Sequence, residues 1–326
     1  MRRITVALTA LLALTGCGQN AGEGGLKDAM AAVSGEGPAA AYFEYGEPAW
    51  WRDLGVKAGA AEARRWLPSA SVSGLGSFAS AAAALPEATG MTPTAGTRAI
   101  SIGVPPQQAF RFDGDVHADA VRKKLTAHGA KPREMGGHEG LSFSPGDEID
   151  LSRTIVPGVT NQLNQVVVTD SLVATASSPD PLTAVLGGET TLADKPAYAA
   201  MASCLGDVAA ATIMTPSPPS TAVTLYGVGL RRPADLNARP VNVICVLPTA
   251  SAAADVERAL KSRLTPTGAM SDGGTYSKHA SEIAHDRVSS DDHTVLRAVL
   301  TLNDTTNAMF ANQMLVRGDL QTLTKP

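Results

Sequence analysis

The chain has 326 residues, a formal net charge of −4 and only 18% charged residues. A slightly acidic balance without a clustered basic face excludes nucleic acid as a partner, and the length suffices for one large or two medium domains. Beyond the opening residues, no run approaches the ~20 apolar residues that span a bilayer.

The first feature in chain order is a short basic start, Arg2 and Arg3, followed by the uncharged stretch Ile4–Leu14. This is the n-region and h-region pattern of a secretory signal peptide. The flank of Arg2-Arg3 lacks most of the twin-arginine export pattern, which leaves general secretion. Leu14-Thr15-Gly16-Cys17 resembles the lipobox of bacterial lipoproteins, Leu-[Ala/Ser/Thr]-[Gly/Ala]-Cys. The resemblance implies residues 1–16 as a cleaved signal peptide, a diacylglyceryl thioether on Cys17 and attachment to the extracytoplasmic face of the cell membrane. Residues 17–38, rich in Gly, Ala, Ser and Glu, then read as a lipidated flexible tether. Leu26–Val33 offers two helical turns within it, too short to be stable alone.

The body divides by pattern into α+β modules at 39–164 and 165–326. Strands are expected at Ala41–Tyr45, Thr97–Val104, Ala109–Phe112, Gln165–Thr169, Leu172–Ala176, Ala209–Met214, Ala222–Val228, Val241–Leu247 and Thr294–Leu302, where β-branched or aromatic runs meet turn residues. Asp170-Ser171 joins two of them as a hairpin. Helices are expected at Ala49–Leu54, Ala60–Trp66, His117–His128, Pro181–Leu186, Lys195–Leu205, Ala252–Leu264 and Thr305–Val316. Sliding Phe110–Leu125 onto Cys245–Leu260 aligns strand with strand and helix with helix, and sets Leu141 opposite Tyr276. The spacing predicts a duplicated module whose largely antiparallel sheets are covered by helices on one face.

With Cys17 assigned to lipid, Cys204 and Cys245 remain. Cys204 shares a helix face with Ala197, Met201 and Val208, and Cys245 shares a strand face with Val243 and Leu247. Both sulfurs therefore point to a common core, either as two buried thiols or as a bridge; an oxidising compartment favours the disulfide. Closing a loop of about 40 residues contributes roughly 4 kcal/mol in the chain-entropy model.

The stretch Val166–Met214, with its hairpin followed by "LVATASSPDPLTAVLGG" and "TTLADKPAYAAMASCLGDVAAATIM", is similar to a family of bacterial envelope proteins of unknown function. Tyr42–Val104, with "YFEYGE", "LPEATGM" and "TRAISIGVPP", resembles exported lipoproteins of high-GC Gram-positive bacteria. Neither resemblance brings a catalytic residue to this chain.

The nucleophile elbow, the zinc-binding His-Glu-x-x-His, the Ser-x-x-Lys set and the phosphate-binding loop are missing from the sequence. Converging imidazoles and carboxylates are the donors a divalent ion wants. The segment holding His279, Glu282, His285, Asp286, Asp291, Asp292 and His293 includes Ser289-Ser290 and reads as a solvated turn rather than a metal site. Half of the aromatic residues crowd into Tyr42–Phe78. Tyr42, Tyr45, Trp50, Trp51 and Trp66 form either a ligand groove or an N-terminal subcore. The expectation is a non-catalytic binding or scaffolding protein with neither cofactor nor metal. It would be held to the membrane by the Cys17 lipid and would meet an envelope protein or a small ligand. The alternative is a solute-binding lipoprotein that serves a transporter.

Overall fold

Alternation decides the sheet. In Val241–Pro248, Val243, Cys245 and Leu247 point to one side, Ile244 and Val246 to the other, and all five are buried. A strand of that kind needs cover on both faces. The computed structural model describes residues 21–57, 60–61, 63–146, 148, 154–290 and 292–326; the expected signal peptide and Cys17 lie outside the described residues.

Twelve strands form one sheet. They are β1 (Tyr42–Gly46), β2 (Arg98–Ile102), β3 (Ala109–Asp113), β4 (Lys131–Met135), β5 (His138–Ser142), β6 (Gln165–Val168), β7 (Leu172–Ala176), β8 (Val208–Met214), β9 (Val223–Arg231), β10 (Val241–Pro248), β11 (Ala280–Ser290) and β12 (His293–Leu302). Their order is β11-β12-β10-β9-β8-β1-β2-β3-β7-β6-β5-β4, and every neighbouring pair is antiparallel. The helices are α1 (Ala21–Ala31), α2 (Pro38–Ala41), α3 (Pro48–Asp53), α4 (Leu67–Val72), α5 (Phe78–Ala81), α6 (Leu85–Thr89), α7 (Ala118–Ala127), α8 (Pro179–Leu186), α9 (Pro196–Leu205), α10 (Ala253–Arg263), α11 (Phe310–Val316) and α12 (Asp319–Thr324). The fold is α+β with an antiparallel sheet.

The helices of the two aligned units, α7 and α10, lie on the same face. Val121 and Leu125 pack on Phe110 and Phe112, and Val256 and Leu260 pack on Ile244 and Val246. Helical cover also extends to the other face, where α1, α8 and α9 bury Phe43, Tyr45, Ile100, Ile102 and Cys245. After each unit's helix the chain runs to an edge of the sheet and returns beside its starting strand. One wing uses four strands, so that β7 pairs with β3; the other uses two, so that β12 pairs with β10. The correspondence ends there: Leu141 belongs to β5, whereas Tyr276 opens a 3-10 turn ahead of β11. The division at 164/165 falls between hydrogen-bonded neighbours, Leu141 pairing with Val166, and the sheet continues across it.

The segment expected to be a tether is part of the body from α1 onward. Leu26, Ala29, Met30 and Val33 recur at helical spacing and are at most 1% exposed in the core. The Gly-rich composition predicts a helix that cannot stand alone, and packing supplies what propensity does not.

Candidate functional site

Strand alternation divides the aromatic block. On β1, Phe43 and Tyr45 face α1, while Tyr42 and Glu44 face the α10 side. Pro48 starts α3, whose Trp51 turns inward (2% exposed) and stacks on Trp66 with ring centroids 5.9 Å apart. Trp66 donates its indole N–H to the Leu236 carbonyl at 3.0 Å. The two indoles form a buried cluster with Ala209, Ala210, Leu230 and Ala308. Trp50 stays half-buried at the rim, under the Arg232 guanidinium 4.9 Å from its ring centroid. Tyr42, Tyr45, Trp50, Trp51 and Trp66 thus do not converge on one concavity.

What the structure does assemble there is a partly buried ion cluster, open to solvent at Asp207. Arg232 meets Glu47 at 2.7 Å and Asp207 at 2.6 Å, and the Tyr45 hydroxyl donates to Glu47. Burial pushes the Glu47 carboxyl up, opposed by the Tyr45 hydroxyl and the Arg232 charge. Arg232 and Asp207 are remote from the aromatic block in sequence and come to it only because β8 and β9 pair beside β1.

Glu44 is also buried (6% exposed), accepting from the Gly74 backbone N–H at 3.1 Å and from the Tyr42 hydroxyl at 3.0 Å. Burial raises its pKa despite those two donors. It lines a narrow cavity of about 20 Å³ with Ser69, Ser73, Thr212, Asn242 and Asn312. The Ser69 and Ser73 hydroxyls are buried without a hydrogen-bond partner in the protein. A wider cleft, about 180 Å³, opens between the loop 90–96 and the loop 113–117. Met91, Phe112 and Val173 give it an apolar floor, and Thr92, Asp115 and His117 are exposed polar groups in its lining. Asp113 in the same wall is already paired with Arg98 and Arg111. An apolar floor with a few polar groups suits a small organic ligand.

The histidine and acid segment is not a solvated turn but the β11–β12 hairpin. Its side chains alternate across the strand and find separate partners: His279 stacks on Phe310, His285 donates to the Leu264 carbonyl at 2.8 Å, and Asp286 pairs with Arg297. Among the described residues no three His, Cys, Asp or Glu side chains converge to hold a metal ion; Asp291 lies outside them. Cys204 of α9 and Cys245 of β10 form a disulfide with Cα atoms 6.2 Å apart. No helix among the described residues is long and apolar enough to cross a membrane.

No family model and no characterised relative matches this sequence. A solved structure described as "Structure of crystal form IV of TP0453" aligns over 85% of this chain and 96% of that chain, at 10% identity and a TM-score of 0.37.

Proposed function

We propose that this chain is a lipid-anchored extracytoplasmic protein with a non-catalytic binding or scaffolding role. The observation that carries the reading is the Cys204–Cys245 disulfide, a bond that persists in oxidising, exported compartments, downstream of a lipobox at Leu14–Cys17. Two acyl chains on Cys17 would anchor the protein stably without a spanning helix. The test is Cys17→Ser in a Gram-positive host. The expected result is an unprocessed precursor or protein shed into the medium, and normal processing with unchanged membrane partition would refute the anchor.

The solute-binding alternative rests on the cleft between residues 90–96 and 113–117. A thermal-shift screen of the exported body against sugars, peptides and lipids separates the two. A specific hit abolished by filling the cleft with Ala95→Trp, at an exposed lining residue, supports ligand delivery, and silence across the panel favours scaffolding.

A further inference from the structure

The anchor sits too close to a fixed helix for the body to be free in its orientation. Ala21, the first residue of α1, is the fourth residue after Cys17. At ~3.6 Å per residue their Cα atoms can be at most ~14 Å apart. The helix itself does not float. Leu26, Ala29, Met30 and Val33 are buried, and Gly25 lies against Tyr45, Glu47 and Arg232.

These contacts fix the end of the sheet at which α1 begins. Gly46, Val208, Arg231 and Val241 mark one end of the central strands, and Gly25 packs beside that end. At the other end of α1 the Ala32 carbonyl accepts from Arg111 of β3, which stands in the same cross-strand row as Ile100 and Tyr45, so α1 crosses from β1 toward β3 near that end. Pro38, beyond α1, lies next to Gly103 at the opposite end. The opposite end carries the loops 103–108 and 215–222, with Gln107 and Pro219 exposed. A strand of eight or nine residues, such as β9 or β10, separates the two ends by about 27–30 Å. That is about twice the reach of the residues linking Cys17 to Ala21.

We propose that the protein stands end-on on the bilayer, resting on the reading of Cys17 as lipidated: the strand ends at Gly46, Asp207 and Arg232, with the loop 232–240, face the lipid surface. The loops 103–108 and 215–222 point away from it. The cleft between residues 90–96 and 113–117 opens at the membrane-facing end, because β2 begins and β3 ends there. An occupant of that cleft would be met at headgroup level. The outward end presents the exposed Val104 followed by Pro105 and Pro106, and in a second loop Pro218 and Pro219.

Site-directed fluorescence on the full lipidated chain tests this. Asn237→Cys and Gln107→Cys each add one thiol that can be labelled, since Cys17 is a thioether and the other two cysteines are bonded. Each labelled protein is reconstituted into phosphatidylglycerol–phosphatidylcholine vesicles containing a headgroup-nitroxide lipid. Quenching at position 237 several-fold stronger than at position 107 is the expected result. Flotation with the vesicles but equal quenching at the two positions, or stronger quenching at 107, would overturn the orientation and leave the anchor standing. Failure to float would overturn the anchor, and the orientation with it.

Discussion

Gly25 and Tyr45 meet so closely that no side chain fits between them: a Cβ on Gly25 would lie 2.5 Å from the Tyr45 hydroxyl oxygen. The same atom would lie 2.6 Å from Glu47 Oε1 and 3.0 Å from Arg232 Nη2. Glycine normally costs a helix about 1 kcal/mol relative to alanine, so its use here reflects close approach. Gly25→Ala is expected to destabilise the protein by about 1 kcal/mol or more, overpacking exceeding the propensity gain. Leu26→Ala should lose about 2–5 kcal/mol, whereas Asp28→Ala, on the exposed side of α1, should change little. Urea titrations of the three variants check this; three unchanged midpoints would mean that α1 does not dock.

Removing the disulfide should be costly because it ties a helix of one layer to a central strand. The bridge closes a separation of 41 residues, for which the chain-entropy model gives about 4 kcal/mol. The double variant Cys204→Ala/Cys245→Ala is expected to lose a large share of a typical domain's stability. Peptide mapping without reductant should recover the two cysteines joined, and recovery of both as free thiols would reject the bond.

Glu44 and Glu257 should pull the pH profile in opposite directions. Burial raises the pKa of Glu44, so its protonated form is favoured by folding. That stability is fully present below the ordinary carboxylate value near ~4.3 and is lost as pH rises through the folded value. Glu44→Gln should therefore raise the unfolding midpoint at pH 7 and flatten this limb. Glu257 is held down to about 2 by hydrogen bonds from Arg287 and then Lys261. Its contribution is present above ~4.3 and lost as pH falls toward about 2. Arg287→Ala should remove part of the acid limb and leave the Glu44 limb unchanged. Thermal melts across pH 2–8 of the parent and both variants read the two limbs; identical profiles would contradict the assignment.

Trp66 and Trp50 should differ sharply in what they support. Trp66 is fully buried, and Trp66→Ala is expected to cost about 3–5 kcal/mol. Trp50 is half-buried beneath Arg232, and Trp50→Ala should cost about 1 kcal/mol through the lost cation–π contact. A Trp50→Ala variant as unstable as Trp66→Ala would place both indoles in the core.

The strands legible in the sequence are those that the sheet buries. Val243, Cys245 and Leu247 alternate with Ile244 and Val246 because β10 lies between two layers, and the run announces itself. β4 does not announce itself, although Gly136-Gly137 is a two-residue hairpin signal and the repeat expects a return strand to begin at Leu141, inside β5. Lys131, Pro132, Arg133 and Glu134 look like a loop. β4 is an edge, where proline and charge are tolerated and block further pairing. β11 is the other edge, and its charged, exposed residues read as a turn for the same reason. The expected helix Thr305–Val316 shortens to α11 because Asn307, Ala308 and Met309 form the turn that places the Ala308 carbonyl and Ala311 N–H on the Asn242 side chain. The aromatic block was visible as composition, but its division between the two faces depends on β1 alternation and on Arg232, which arrives from β9. Only long-range pairing brings that guanidinium to Trp50.

The docking of α1 also sets how the molecule bears load. A pull on the N-terminus meets α1 first, with Gly25 against Tyr45 of β1 and the Ala32 carbonyl held by Arg111 of β3, so the load is spread across β1, β2 and β3. Leu26, Ala29, Met30 and Val33, buried in the core, share that load. Past α1 the force enters β1, which is hydrogen-bonded on both sides to β2 and β8. Drag on the body is thus met by the middle of the sheet, and its weaker margins, β4 and β11, stay out of the line of tension.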